Sequence, residues 1–172
     1  SLGRLPPFIA TLGLMSVARG GALLYTDGRP ISGFGENFRW LATGEVGLVP
    51  VPVLIMIAVY AIAHVALNRT KFGRYAFAIG GNEEAALLSG VRVRLYKTMI
   101  YGVGGLLSAL AAILLTARLN SAQPIAGINY ELDAIAATVI GGTSLMGGQG
   151  SVLGTLIGAL IMGVLRNGLN LL

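Results

Sequence analysis

Long runs without a charged side chain dominate this sequence. Residues 46–68 contain no Asp, Glu, Lys or Arg, and neither do residues 98–117, which gives uncharged runs of 23 and 20 residues. A helix of about 20 apolar residues crosses the roughly 30 Å hydrocarbon core of a bilayer. The two runs therefore predict membrane-spanning helices over 48–67 and 98–117.

Charged residues are scarce over the whole chain. They make up 11% of its 172 residues, whereas 55% are apolar and the mean hydropathy is +0.78. Soluble domains carry roughly 25% charged residues, and a soluble protein with so few could not cover its surface with polar groups. The composition excludes a soluble enzyme, a disordered chain and a coiled coil. It predicts an all-α, polytopic transmembrane helical bundle.

A further span is predicted over 5–25, where Pro6 and Pro7 favour a helix start. Arg19 interrupts this run and is followed by two glycines. One interpretation ends the helix there, with the guanidinium reaching the lipid head groups. The alternative directs Arg19 into the bundle interior as a functional group. Because the sequence opens without Met and stops inside an apolar stretch, we interpret it as an internal fragment and expect further helices at both ends.

The uncharged run over 134–165 is 32 residues long, and one straight helix of that length would measure about 48 Å. Glycines in its middle break helices. The run therefore predicts a half-helix or re-entrant helix over 133–141, a bend, and a spanning helix over 151–166. The bend either lines a transport pathway, as in transporters with discontinuous helices, or serves tight helix packing. Its candidate residues are Gly141, Gly142, Thr143, Ser144, Gly147 and Gly148.

Signals of enzyme chemistry are missing. His64 is the only histidine, and Glu131 and Asp133, two residues apart, would point in different directions on a helix. We interpret Asp133 as the cap of the helix that follows it; the alternative is a ligand role at the entrance of a pathway. The glycine-rich stretch lacks the Gly-Lys-Ser/Thr ending of a phosphate loop, and cysteine is absent. We therefore predict no catalytic residue, no metal site and no cofactor.

The positive charges predict the topology of the chain. The segment 68–97 holds six of the twelve Lys and Arg residues, whereas 26–49 has two Arg against three acidic residues. The positive-inside rule places 68–97 in the cytoplasm and 26–49 outside. Alternation then puts 118–131 outside and returns Arg166 to the inside. Because the positive residues lie between apolar runs, they indicate topology and no nucleic-acid partner is expected.

The cytoplasmic segment carries a strong local helix signal. Asn82 is a good N-cap, Glu83 and Glu84 complement the dipole of a first turn, and Gly90 supplies a stop. The pattern predicts a short two-turn helix over 82–90 between two spans. This helix is either an element that couples the chain to a partner or an interfacial helix that rests on anionic lipid.

The string Glu84-Ala85-Ala86-x-x-x-Gly90 resembles the EAA loop of ABC-importer permeases, the short helix that docks into the ATPase subunit. The downstream Ile-x-Leu-Pro of the maltose-type permeases is absent. Longer strings resemble the ribose-type monosaccharide permeases, and the resemblance covers essentially the whole chain. These strings are GRYAFAIGGNE (73–83), ARLNSAQP (117–124), YELDAIAA (130–137), GGTSLMGG (141–148) and GTLIGALI (154–161).

This resemblance implies one transmembrane permease domain over 1–172, in a multi-pass protein of the bacterial inner membrane. It implies an importer with two permease subunits, in a homodimer or a heterodimer, two ATPase subunits and a periplasmic sugar-binding protein, in which this chain binds no nucleotide. The rival interpretations are an ion-coupled secondary transporter or channel, a branched-chain amino-acid permease and a structural membrane subunit. The residues implied to couple to the ATPase are Asn82, Glu83, Glu84, Ala85, Ala86 and Gly90.

Overall fold

Helices account for most of residues 7–171, the part of the chain that the computed structural model describes. Two ladders of two residue pairs each complete the described secondary structure: β1 (Ile31–Ser32) pairs with β4 (Ser121–Ala122), and β2 (Glu45–Val46) pairs with β3 (Val49–Pro50). The predicted all-α bundle is confirmed. In chain order the helices are α1 (Pro7–Thr26), α2 (Glu36–Thr43), α3 (Val51–Arg69), α4 (Lys71–Gly81), α5 (Glu83–Leu88), α6 (Val93–Leu119), α7 (Tyr130–Ile140) and α8 (Val152–Asn170).

Four of these helices, α1, α3, α6 and α8, are long and apolar enough to cross a membrane. They correspond to the spans predicted over 5–25, 48–67, 98–117 and 151–166, although residues 5 and 6 lie outside the described part. The 27-residue α6 begins and ends beyond the predicted run. Large apolar side chains along these helices are exposed, as expected for surfaces that face lipid or neighbouring helices.

The first helix does not end at Arg19. It continues through Gly20 and Gly21 to Thr26, so the interpretation of Arg19 as a helix end is wrong. A glycine costs a helix about 1 kcal/mol, whereas an unpaired backbone group in an apolar environment costs several. Continuing the helix is therefore cheaper than breaking it inside an apolar run.

A helix that the sequence analysis did not predict, α4, follows directly on α3. Thr70 lies between them and caps α4, because its Oγ1 accepts a hydrogen bond from the Phe72 N–H at 3.2 Å. A Cβ on Gly73 would lie 1.9 Å from the Leu67 carbonyl oxygen. Only glycine therefore allows the chain to turn back so tightly at the end of α3, and α4 packs on α3, α5 and α6.

The run over 134–165 folds as the predicted short helix, bend and long helix, and α7 and α8 lie antiparallel against each other. This hairpin overturns the predicted placement of Arg166. The bend contacts the end of α4, whereas Arg166 pairs with Asp133 at the opposite end of the hairpin. Alternation treated the run as one crossing, but α7 and α8 run in opposite directions on either side of the bend. The side chain of Arg166 therefore lies away from the end that carries α4 and α5.

The opposite end of the bundle is marked by the ladder between β1 and β4. Pairing of Ile31 with Ala122 and of Ser32 with Ser121 joins the loop after α1 to the loop after α6. Both loops are predicted from the positive charges to lie on the same side of the membrane, and the ladder brings them together. We call the end of the bundle with the β1–β4 ladder the ladder end, and the opposite end, which carries α4 and α5, the α4 end.

Candidate functional site

The short helix α5 begins at a capped residue, as predicted. The Asn82 side-chain Oδ1 accepts a hydrogen bond from the Ala85 N–H at 2.9 Å. Glu83 and Glu84 occupy the first turn, where negative charge is favourable. The Glu83 carboxylate also accepts a hydrogen bond from the Lys97 ammonium at 2.5 Å, which ties the start of α5 to α6.

The end of α5 is fixed by backbone geometry that favours glycine. Gly90 has a φ of +81°, a left-handed conformation that residues with a Cβ rarely adopt. Its N–H donates to the Leu87 carbonyl at 3.0 Å, and the Val91 N–H donates to the Ala86 carbonyl at 3.1 Å. These two hydrogen bonds form a Schellman motif, so the local sequence sets both ends of the helix.

One side of α5 is buried against its neighbours. Ala86 is 5% exposed and forms a small core with Ile79 of α4 and Val93 of α6, against which Val91 and Tyr96 pack. The helix is therefore held in a defined position relative to α4 and α6 instead of lying loose in a connecting segment.

The outward side chains of α5 are partly apolar. Leu87 is 61% exposed and Leu88 is 89% exposed, and Glu84 is exposed beside them. A fixed helix that combines exposed leucines with a carboxylate has the composition of a surface that meets a partner or a lipid head-group layer.

The bend between α7 and α8 is an ordered turn. The Ser144 N–H donates to the Gln149 carbonyl at 3.1 Å, and the Gly147 N–H donates to the Ser144 carbonyl at 3.1 Å. The Thr143 N–H donates to the Thr138 carbonyl at 2.9 Å, which joins the turn to the last turn of α7. We call residues 141–150 the glycine turn.

The glycine turn is brought against the element that precedes α5. Gly142, Gly147 and Gly148 have φ values of +85°, +86° and +76°. Gly147 and Gly148 contact the backbone of Gly80 and Gly81 at the end of α4. The bend candidates therefore lie at the α4 end of the bundle, against the two residues that precede the coupling candidate Asn82.

Small residues line the contact between α7 and α8. A Cβ on Gly158 would lie 1.9 Å from the Ala137 carbonyl oxygen, and one on Gly154 would lie 2.0 Å from the Gly141 carbonyl oxygen. The helix backbones therefore touch without side chains between them, which is the close approach that small residues permit in membranes. We call this contact the glycine seam.

Asp133 lies at the other end of the hairpin and is not the helix cap that we interpreted it to be. The N-cap position of α7 is Asn129, and Asp133 is in the first turn. Its carboxylate pairs with the Arg166 guanidinium of α8, which also lies 5.2 Å from the ring centroid of Tyr130. The cap interpretation was wrong because it considered only local partners, and this partner is 33 residues away.

Breaking this ion pair should weaken the α7–α8 hairpin. Arg166→Ala and Asp133→Ala should each lower the thermal midpoint of the purified protein in detergent, and the swap of Asp133→Arg with Arg166→Asp should recover part of the loss. Because both side chains are partly exposed, we expect an interaction free energy of about 0.5–1.5 kcal/mol in a double-mutant cycle. Additive effects of the two alanine substitutions would contradict the pairing.

A cavity of about 1080 Å³ opens at the ladder end between α2, α3, α6 and α7. Most of its lining is apolar, and Glu131 faces it while Asp133 pairs with α8, so the two carboxylates point to different neighbours as expected. The polar side chains around it are Ser108, Thr116, Arg118, Gln123, Tyr130 and Glu131.

The histidine of the chain contacts a residue of its own helix. His64 Nδ1 lies 3.0 Å from the Asn68 side-chain nitrogen one helical turn away, an arrangement within a single exposed helix face. Among the described residues, no group of three His, Cys, Asp or Glu side chains could hold a metal ion.

Comparison with known proteins decides the family. Residues 3–172 match the family described as "Branched-chain amino acid transport system / permease component". The chain belongs to this permease family. It is 58% identical to the ribose import permease protein RbsC of Bacillus subtilis over 172 residues, which cover 99% of this chain and 53% of that protein.

Two further relatives of the permease carry similar names. The chain is 56% identical to RbsC of Haemophilus influenzae and 54% identical to RbsC of Escherichia coli, in each case over 99% of this chain and 54% of the relative. It therefore spans about half the length of these relatives. No solved structure matches it. Together with the four apolar helices, membership of this permease family identifies the chain as a membrane protein.

Two features of the candidate site were not predicted from the sequence. The first is α4, although Phe72, Tyr75 and Ile79 recur at helical spacing after Thr70. The second is the contact of the glycine turn with Gly80 and Gly81, since a glycine-to-glycine contact leaves no side-chain pattern in the sequence.

Proposed function

We propose that this permease is the membrane-spanning subunit of an ATP-driven importer for a ribose-like monosaccharide. The observation that carries the proposal is the 54–58% identity to three ribose import permeases over nearly the whole chain. The family description also names branched-chain amino acids, but identity at this level to proteins named for ribose favours the sugar. The chain then forms one transmembrane permease domain of a multi-pass protein in the bacterial inner membrane.

In this proposal ATP is hydrolysed by a separate subunit, and α5 is the element that docks on it. The capped, core-anchored helix with exposed Glu84, Leu87 and Leu88 supports this role. The ATPase can bias the bundle only through contacts that differ between its two conformations. A periplasmic sugar-binding protein delivers the substrate at the ladder end, and a second permease copy completes the pathway.

The transport assay separates this proposal from its rivals. The complete permease, its ATPase and its binding protein are reconstituted in liposomes, and uptake of labelled ribose and of labelled leucine is measured with ATP or with a proton gradient. We expect ribose uptake that requires ATP and the binding protein. Uptake driven by the proton gradient alone would indicate a secondary transporter, and ATP-driven leucine uptake without ribose uptake would indicate an amino-acid permease.

The orientation of the bundle can be tested by labelling, because the chain contains no native cysteine. A cysteine replacing Ser32, at the ladder end, should react with a membrane-impermeant thiol reagent in intact cells. A cysteine replacing Ser89, beside α5, should react only after permeabilisation, because the positive residues around α4 and α5 favour the cytoplasm. Labelling at position 89 in intact cells would overturn the orientation and the proposed ATPase contact.

A further inference from the structure

The α4 helix and α5 are joined without a linker. Asn82 is at once the C-cap of α4, where its N–H donates to the Ala78 carbonyl at 3.0 Å, and the N-cap of α5. The shared core of Ile79 and Ala86 holds the two helices together. A displacement of α5 therefore moves the last turn of α4, which contains Gly80 and Gly81.

At its glycines, that last turn of α4 touches the backbone of the glycine turn. A Cβ on Gly147 would lie 2.3 Å from the Gly80 carbonyl oxygen, and one on Gly80 would lie 2.8 Å from the Gly148 nitrogen. A Cβ on Gly148 would lie 2.9 Å from the Gly81 Cα. No flexible side chain separates the two segments here, and close-packed contacts of this kind transmit displacement with little compliance.

The glycine turn is in turn continuous with the hairpin. The Thr143 N–H binds the last turn of α7, and the Ser151 Oγ caps α8 by accepting from the Gly154 N–H at 3.3 Å. The glycine seam then holds α7 to α8 up to the Asp133–Arg166 pair. Tyr130, which contacts Arg166, also lines the cavity at the ladder end.

We propose that the contact of Gly80 with Gly147 and Gly148 is the joint through which movement of α5 reaches the α7–α8 hairpin and the cavity at its far end. Gly80 and Gly147 are positioning residues: they contact neither ATPase nor sugar, and they set how the hairpin follows α5. This inference rests on the proposed import function. The joint passes the movement only while the two backbones remain in contact, so a single methyl group between them should uncouple it.

Neighbouring glycines provide matched controls on both sides of the joint. On α4, a Cβ at Gly80 meets the Gly148 nitrogen at 2.8 Å, whereas a Cβ at Gly81 has its nearest neighbour at 3.8 Å, an ordinary contact. On the turn, Gly142 and Gly147 have φ values of +85° and +86°, so alanine is equally strained at both. A Cβ at Gly147 also meets another segment, whereas nothing lies within 4 Å of a Cβ at Gly142.

The test compares Gly80→Ala with Gly81→Ala and Gly147→Ala with Gly142→Ala in the complete permease, reconstituted with its ATPase and binding protein. Three quantities are measured for each variant: co-purified ATPase, ATP hydrolysis stimulated by the binding protein, and sugar transported per ATP hydrolysed. We expect Gly80→Ala and Gly147→Ala to keep the ATPase bound and to lower sugar transported per ATP by about fivefold or more, as for the loss of a typical coupling free energy. Each control variant should transport as much sugar per ATP hydrolysed as the unmodified permease does.

If the two variants of each pair keep the ATPase bound and transport equal amounts of sugar per ATP, the proposed joint is wrong and the proposed import function stands. Failure of Gly80→Ala and Gly147→Ala to assemble, with both controls assembling, would also overturn it, because the contact would then serve stability and not transmission. Absence of ATP-dependent uptake by the unmodified permease would instead overturn the proposed function, and the joint with it.

Discussion

Replacing Gly158 by leucine should separate α7 from α8 and destabilise the permease, whereas the same substitution at Gly163 should have little effect. A Cβ at Gly158 would lie 1.9 Å from the Ala137 carbonyl oxygen and 2.9 Å from the Gly141 nitrogen, both backbone atoms that cannot rotate away. Overpacking of this kind costs about 1–3 kcal/mol. At 2–4 °C per kcal/mol, the thermal midpoint should fall by about 2–12 °C.

Gly163 is the matched control because it lies in the same helix and nothing is within 4 Å of its Cβ position. Leucine favours the helix over glycine equally at both sites, so the difference between the two variants isolates the seam. The midpoints are measured for the detergent-solubilised protein by the loss of its monodisperse size-exclusion peak on heating. Equal midpoints for Gly158→Leu and Gly163→Leu would show that the helices do not touch at this position.

If α5 docks on an ATPase subunit as proposed, reversing the charge of Glu84 should release that subunit. A lysine there places a positive charge at the positive end of the α5 dipole, which costs about 0.5–2 kcal/mol locally, and it also reverses any charged contact with the partner. We expect co-purified ATPase and sugar uptake to fall together by about tenfold, the loss that corresponds to 1.4 kcal/mol of docking free energy. Expression should survive because α5 lies outside the four apolar helices.

The control for Glu84→Lys is Glu36→Lys, which makes the same change in the first turn of the short helix α2. That variant should keep its ATPase. Loss of uptake by Glu84→Lys with the ATPase still bound and active would show that α5 is not the docking element. Unchanged uptake and binding would show that α5 rests on lipid head groups instead.

Damage to the other end of α5 should give the same loss by a different route. Gly90 has a φ of +81°, which a β-branched residue tolerates poorly. Gly90→Val should therefore disrupt the two hydrogen bonds that end the helix and lower both ATPase co-purification and uptake. Gly28→Val, with a φ of +67° and open space around it at the ladder end, makes a comparable strain away from α5 and should leave ATPase binding unchanged.

Features encoded by adjacent residues could be predicted from the sequence. The uncharged runs indicated the long helices, since a bilayer sets their length. Asn82 and Gly90 fixed the ends of α5, because both act on backbone groups within four residues of themselves. The glycines of the bend predicted the break between α7 and α8 for the same local reason.

Features that depend on residues distant in the chain could not be predicted from the sequence. Arg19 stayed inside α1 because the apolar surroundings outweigh the local preference of two glycines. Asp133 pairs with Arg166 only because α7 and α8 fold back on each other, which also reversed the end assigned to Arg166. The contact of the glycine turn with α4 has no charge, aromatic ring or periodicity that a sequence could display.

The glycine seam also bears on how the protein is made. Its contacts join backbone carbonyls to glycine Cα atoms, a geometry that weak Cα–H···O hydrogen bonds favour. Because glycine and alanine have no rotamers to immobilise, closing the seam costs no side-chain entropy. Its closure also does not depend on the hydrophobic effect. We therefore expect the segment from α7 to α8 to form a helical hairpin before its glycine turn packs against α4.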